Sequence, residues 1–174
     1  SDYTRTTDFK ELTTNGNFTA DADDADLVSD DLTGWTVVSQ DATNNTIALA
    51  SGVLTYTVNT SPNLYIRSDQ TDDGHILIPG VRYLVRVVVD SVSGNYPIFE
   101  LGGGYNQVHM TTTGIHEFVW QHDRENANGA IIRRGTGDVG TFAISSVSIR
   151  PYDVAGRPFI HGLENGGDLT QAGV

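Results

Sequence analysis

Cysteine is absent from the 174 residues. No disulfide framework can staple this chain, so its stability rests on packing or on oligomerisation. Long apolar runs are missing as well. None approaches the roughly 20 residues of a membrane-spanning helix. Basic residues are scarce: Lys plus Arg number 10 against 22 acidic residues, a formal charge of −12. That balance excludes the basic footprint of a nucleic-acid partner and opposes docking on an anionic membrane. It favours solubility, because like-charged copies repel. A helical apolar stripe is also lacking, and no stretch of ten residues repeats at the helical period.

What is present is a series of short alternating segments separated by turn residues. Hydrophobic residues make up 38% and charged residues 18%, which suits a folded β domain with a core of its own. Strands are expected at Asn45 to Ala50 and Val53 to Asn59, a hairpin about Ser51-Gly52. Others are expected at Asn63 to Ser68, Val81 to Val92, Pro97 to Leu101, Tyr105 to Met110, Gly114 to Gln121 and Ala130 to Arg134. On the longest, Tyr83, Val85, Val87 and Val89 share one face. Arg82, Leu84, Arg86 and Val88 share the other, whose two apolar residues ask for partial cover by an arm, a tail or another subunit. Phe118 and Trp120 mark the inner face of their strand.

The closing strand, Gly140 to Arg150, changes phase in the middle. Side chains on a strand alternate with period two. Phe142, Ile144, Val147 and Ile149 share a face only if an extra residue is accommodated at Ser145-Ser146, as a β-bulge does.

Two resemblances follow. Asn15-Gly16-Asn17-Phe18, the acidic loop with Asp21, Asp23, Asp24, Asp26, Asp30 and Asp31, Thr33-Gly34-Trp35, the Pro79-Gly80 loop before the Tyr83 strand, and Thr141-Phe-Ala-Ile-Ser-Ser-Val-Ser-Ile149 together resemble a jelly-roll superfamily. That superfamily contains the carbohydrate-binding modules of xylanases and glucanases and galactose-binding-like domains of phage structural proteins. It implies an all-β antiparallel jelly-roll β-sandwich over residues 15–150. The string Tyr3-Thr4-Arg5-Thr6-Thr7-Asp8-Phe9 resembles the opening of tailed-bacteriophage fibre and appendage proteins. On this reading 1–14 is an N-terminal arm, with a frayed terminus as the alternative, and 151–174, rich in Gly and Pro, a C-terminal extended arm, with a disordered segment as the alternative. Tyr3, Phe9, Phe159 and Ile160 are its expected contacts to neighbouring subunits.

No catalytic constellation stands out. There is no nucleophile elbow, and Gly102-Gly103-Gly104 lacks the Lys of a phosphate loop. Glu100 and Glu117 lie on strands, yet 22 acids make chance pairs common. Of the histidines His75, His109, His116, His122 and His161, none shows metal-ligand spacing, and His116 and His122 are roughly 20 Å apart along one strand. No enzyme and no cofactor are therefore expected. The acidic loop is the one candidate for structural calcium. The superfamily resemblance implies a ligand Asp in the last strand, where this chain has Ser145 or Ser146, so the cage lacks a charge and the loop reads as solvated. Tyr65, Tyr96 and Tyr105, with Arg67, are the residues suited to stack and bind a glycan; Trp35 and Trp120 fit the core better. Against this stands the plainer reading of each tyrosine as ordinary surface or core.

The leading expectation is a virion structural protein: a decoration (cement) protein on the exterior of a tailed-phage capsid, a homo-oligomer and by analogy a trimer, bound to the major capsid protein. A phage tail-fibre or appendage domain is the first alternative. A non-catalytic carbohydrate-binding module, with a cell-surface glycan as partner, is the second. No nucleic acid and no membrane are expected as partners.

Overall fold

The computed structural model describes residues 11–28, 32–39, 43–60, 63–68, 82–101, 105–121, 129–135 and 139–152. These form strands and turns, with no helix among the described residues. The strands are β1 (Trp35–Ser39), β2 (Thr46–Ala50), β3 (Val53–Val58), β4 (Leu64–Ser68), β5 (Arg82–Ser93), β6 (Pro97–Leu101), β7 (Tyr105–His109), β8 (Gly114–Gln121), β9 (Ala130–Arg134) and β10 (Gly140–Pro151). They make two five-stranded sheets, β2-β3-β10-β5-β8 and β1-β4-β9-β6-β7. Every strand pair is antiparallel. The fold is the all-β antiparallel sandwich expected from the alternation, of the jelly-roll kind that the superfamily resemblance implies.

Local chemistry sets the elements. The β2–β3 turn holds Ser51 at φ 51° and Gly52 at φ 77°, two positive values in succession that match the right-handed twist of a tight hairpin. Period-two alternation then sorts side chains. Ile47, Leu49, Leu54, Tyr56 and Val58 of the first sheet face Trp35, Val37, Leu64, Ile66, Phe99 and Ile132 of the second, all buried. Tyr56 stacks on Phe142 with ring centroids 4.3 Å apart. Its hydroxyl crosses the core and donates to the Ile132 carbonyl at 3.2 Å, while burial pushes its phenol well above the ordinary range. Phe99 meets Phe118 and Trp120 edge-on at 5.3 and 6.0 Å, joining β6 to β8.

The phase change in β10 is real. Phe142, Ile144, Val147 and Ile149 are all buried, and the β10–β5 ladder is irregular on both sides of Ile144. Ser145 has no partner on β5, and Asp90 has none on β10. The irregularity on β5 carries its own phase change, from buried Val89 to Val92, which packs against the core.

In the first sheet the chain itself covers the edge at β2 and extends the ladder beside β10. Asp24 and Leu49 exchange backbone hydrogen bonds at 2.8 and 2.7 Å, and Leu27 N–H donates to Ile47 O, so residues 24–27 line the outer edge of β2. Where β3 ends, residues 12–16 take its place beside β10: Leu12 N–H donates to Ile149 O and Val147 N–H to Gly16 O. The backbones approach so closely that a side chain at Gly16 would collide with the Val147 carbonyl. At the other end Tyr152 N–H donates to Arg82 O. The expected arm contacts Tyr3, Phe9, Phe159 and Ile160 lie outside the described residues.

Candidate functional site: the outer face of the second sheet

In β4 the pattern buries Leu64, Ile66 and Ser68 and turns Tyr65 and Arg67 outward. Strand register extends both residues into rows across the sheet. Val38, Tyr65, Arg133, Ile98 and His109 lie side by side from β1 to β7. Thr36, Arg67, Ile131 and Glu100 form the adjoining row. Residues directly opposite on neighbouring strands share a face. Of the outward residues of β9 and β6, Ile98, Glu100 and Ile131 are 0%, 6% and 7% exposed and Arg133 is half-buried, whereas Tyr65 and Arg67 on one flank are half-buried and His109 on the other is exposed.

A charge network sits at the centre of this face. Glu100 Oε2 lies 2.8 Å from Arg133 Nε and accepts a hydrogen bond from Gln107 Nε2 at 2.8 Å. The Arg133 Nε–H is in ionic contact without hydrogen-bond alignment. The neighbouring Arg134 turns to the Gly135 carbonyl at 2.8 Å; burial, with the Arg133 charge beside it, lowers its guanidinium below the usual value.

Tyr96 closes the far end. Its ring lies 5.6 Å from the His109 ring, with the hydroxyl 3.3 Å from Nδ1. The backbone beneath it is fixed: the buried Asn95 accepts from Tyr96 N–H at 2.9 Å and Gly135 N–H at 2.8 Å, and Gly135 N–H also reaches Tyr96 O at 2.7 Å. Gly135 leaves room for this ring, since a Cβ there would come within 3.0 Å of it.

Of the glycan contacts expected from the sequence, Tyr65, Arg67 and Tyr96 thus lie at the two ends of one sheet face. From β4 to β6, which Tyr96 leads into, is two strand spacings, roughly 10 Å. Tyr105 belongs to the edge strand β7 of the same sheet, and its side chain lies outside those described. Arg133 and Gln107 were not singled out, and His109 was weighed only as a metal ligand, although alternation in Ala130-Ile-Ile-Arg-Arg134 already places Ile131 and Arg133 on one side. Glu100 and Glu117 point outward from different sheets, on opposite sides of the sandwich. They cannot act together on one bond. In the acidic loop, Asp21 accepts from Asn15 Nδ2, Thr33 N–H and Thr33 Oγ1, and Asp23 caps Ser51 N–H. Among the described residues no cluster of three acidic, His or Cys side chains is arranged to hold a metal ion.

No family model matches the chain, and no curated protein does. Solved structures do. One, described as an apo CBM1 of BiXyn10A, shares 18% identity over 67% of this chain and 88% of its own, at a TM-score of 0.48. A CBM4 structure shares 14% identity over 80% of this chain and 99% of its own, at 0.47. The second N-terminal cellulose-binding domain of Cellulomonas fimi β-1,4-glucanase C shares 12% identity over 75% and 97%, at 0.45.

Proposed function

We propose that this chain is a non-catalytic carbohydrate-binding module that holds an oligosaccharide across β4, β9, β6 and β7. The observation that carries this is the placing of Tyr65 and Tyr96 at opposite ends of a face whose centre is the Arg133–Glu100–Gln107 network. A sugar ring offers apolar C–H faces and a rim of hydroxyls. Tyrosine meets the first with its ring and the second with its hydroxyl. Hydroxyls both donate and accept, so they suit the accessible Arg67 and His109 beside the tyrosines, while the Glu100 carboxylate, 6% exposed and engaged by Arg133 and Gln107, holds the strands beneath. Two ends some two strands apart favour a chain of sugars over a single one.

The decoration and tail-fibre readings rest on the arms. The described parts of those arms, residues 11–14 and 151–152, bond to the chain's own first sheet, and the four anchor residues lie outside the described residues. No structural observation carries either reading.

Calorimetric titration with a panel of soluble plant and bacterial oligosaccharides tests the proposal. At least one glycan should bind, and Tyr65→Ala and Tyr96→Ala should each weaken it about tenfold, the scale of one lost aromatic contact of about 1.4 kcal/mol. No binding across the panel, or binding untouched by both substitutions, would overturn it.

A further inference from the structure

The outer face of the first sheet carries a groove of about 440 Å³. Its near wall is the incoming segment 11–17. Its floor is Ser146 and Ser148 of β10 with Leu84 and Arg86 of β5, and Glu117 of the edge strand β8 stands on the far side. It lies on the opposite side of the sandwich from the face carrying Tyr65 and rests on none of the same residues.

The charges in this groove are arranged unusually. Arg150 Nε is paired with Glu11 at 3.0 Å. Arg86 and Glu117 are direct partners across β5 and β8, yet neither makes an ion pair or a side-chain hydrogen bond among the described residues. Arg86 is half-buried. A guanidinium removed in part from water and left with open donors, next to a carboxylate with open acceptors, is completed by a group that accepts from one and donates to the other. A hydroxyl does both. A carboxylate ligand would satisfy Arg86 but face Glu117, and an ammonium ligand the reverse. The Ser146 hydroxyl and the Asn17 side chain extend the same chemistry along the groove. Among the described residues no aromatic ring lines it, so a sugar here binds by its hydroxyl rim.

We infer that this groove is a second ligand site, for a neutral polyhydroxylated ligand, with Arg86 and Glu117 gripping a shared hydroxyl or a neighbouring pair. The full chain, isotope-labelled, is titrated with cellohexaose, xylohexaose and trigalacturonate, following the Arg86 side-chain N–H and the Ser146 and Ser148 amides. The Arg133 N–H and the Tyr65 amide report the other face in the same spectra. A neutral hexasaccharide should shift the Arg86 set saturably. The shift should persist in Tyr65→Ala and weaken about tenfold in Arg86→Gln and in Glu117→Gln, which break no ion pair or side-chain hydrogen bond among the described residues and leave the remaining spectrum in place. If the Arg86 set stays still with all three sugars, moves only with trigalacturonate, or loses its response in Tyr65→Ala, the second site is overturned. A response of the Arg86 set with none at Tyr65 or Arg133 would uphold the groove and refute the sheet-face proposal instead.

Discussion

Glu11 reaches across to β10 and accepts the backbone N–H of Ile149 at 2.8 Å. The same carboxylate accepts from Thr13 N–H, Thr13 Oγ1, Ser148 Oγ and Arg150 Nε. One side chain thereby fastens the incoming segment to the last strand. Burial raises its pKa, but the bonds from Ser148, Thr13 and Ile149 outweigh that and hold it below the ordinary 4.5. The sign follows directly. A group with a depressed folded value stabilises above its unfolded value and loses that contribution as pH falls through the folded one. Stability should therefore drop on acidification below pH 4.5. Glu11→Gln should cost about 1–3 kcal/mol at neutral pH and flatten that part of the profile. Urea midpoints at neutral pH and at about pH 3 check it, and an unchanged profile in the variant would remove Glu11 from the account.

The Glu100–Arg133 pair predicts strong coupling. Glu100 is 6% exposed, and removing it alone strands Arg133, whose side chain is 26% exposed. Glu100→Ala should cost about 1–3 kcal/mol. The double variant with Arg133→Met should cost less than the two single changes together, because no unpaired charge remains. Denaturant titrations around this cycle give the coupling, and simple additivity would mean the two charges do not support each other.

Gly135→Ala separates positioning from stability. Its new methyl would press on the Tyr96 ring from 3.0 Å without filling or emptying the core. Glycan affinity should fall several-fold while the midpoint of unfolding moves by about 1 kcal/mol or less. Equal affinity in wild type and variant would show that the Tyr96 ring orientation is not part of binding.

Much of the sandwich was legible because it is written in period two. Val53 to Asn59 and Gly114 to Gln121 alternate without interruption and fold as read. The phase change at Ser145-Ser146 could be read because four large residues flank it. Its counterpart on β5 was passed over, since the three-residue step from Val89 to Val92 adds only one apolar residue after a polar stretch. The candidate site was half legible. Tyrosines announce themselves by type, whereas Arg133 and Gln107 gain meaning only through cross-strand register, which places residues 100, 107 and 133 together. Such pairing depends on strand order, and order is a long-range property that spacing along the chain does not encode.

The paired irregularities of β5 and β10 behave as a frameshift and its suppressor. Asp90 and Ser145 are each skipped, one on each strand, between the same flanking partners Ala143–Ser91 and Ser146–Val88. Deleting either alone leaves three steps facing two and sets one strand out of step with the other. Deleting both restores equal counts, and it also leaves Val87, Val89 and Val92, like Phe142, Ile144, Val147 and Ile149, in unbroken alternation. In a selection for folded protein each single deletion should be lost, and the second deletion should rescue it. Relatives of this chain should accordingly carry both extra residues or neither.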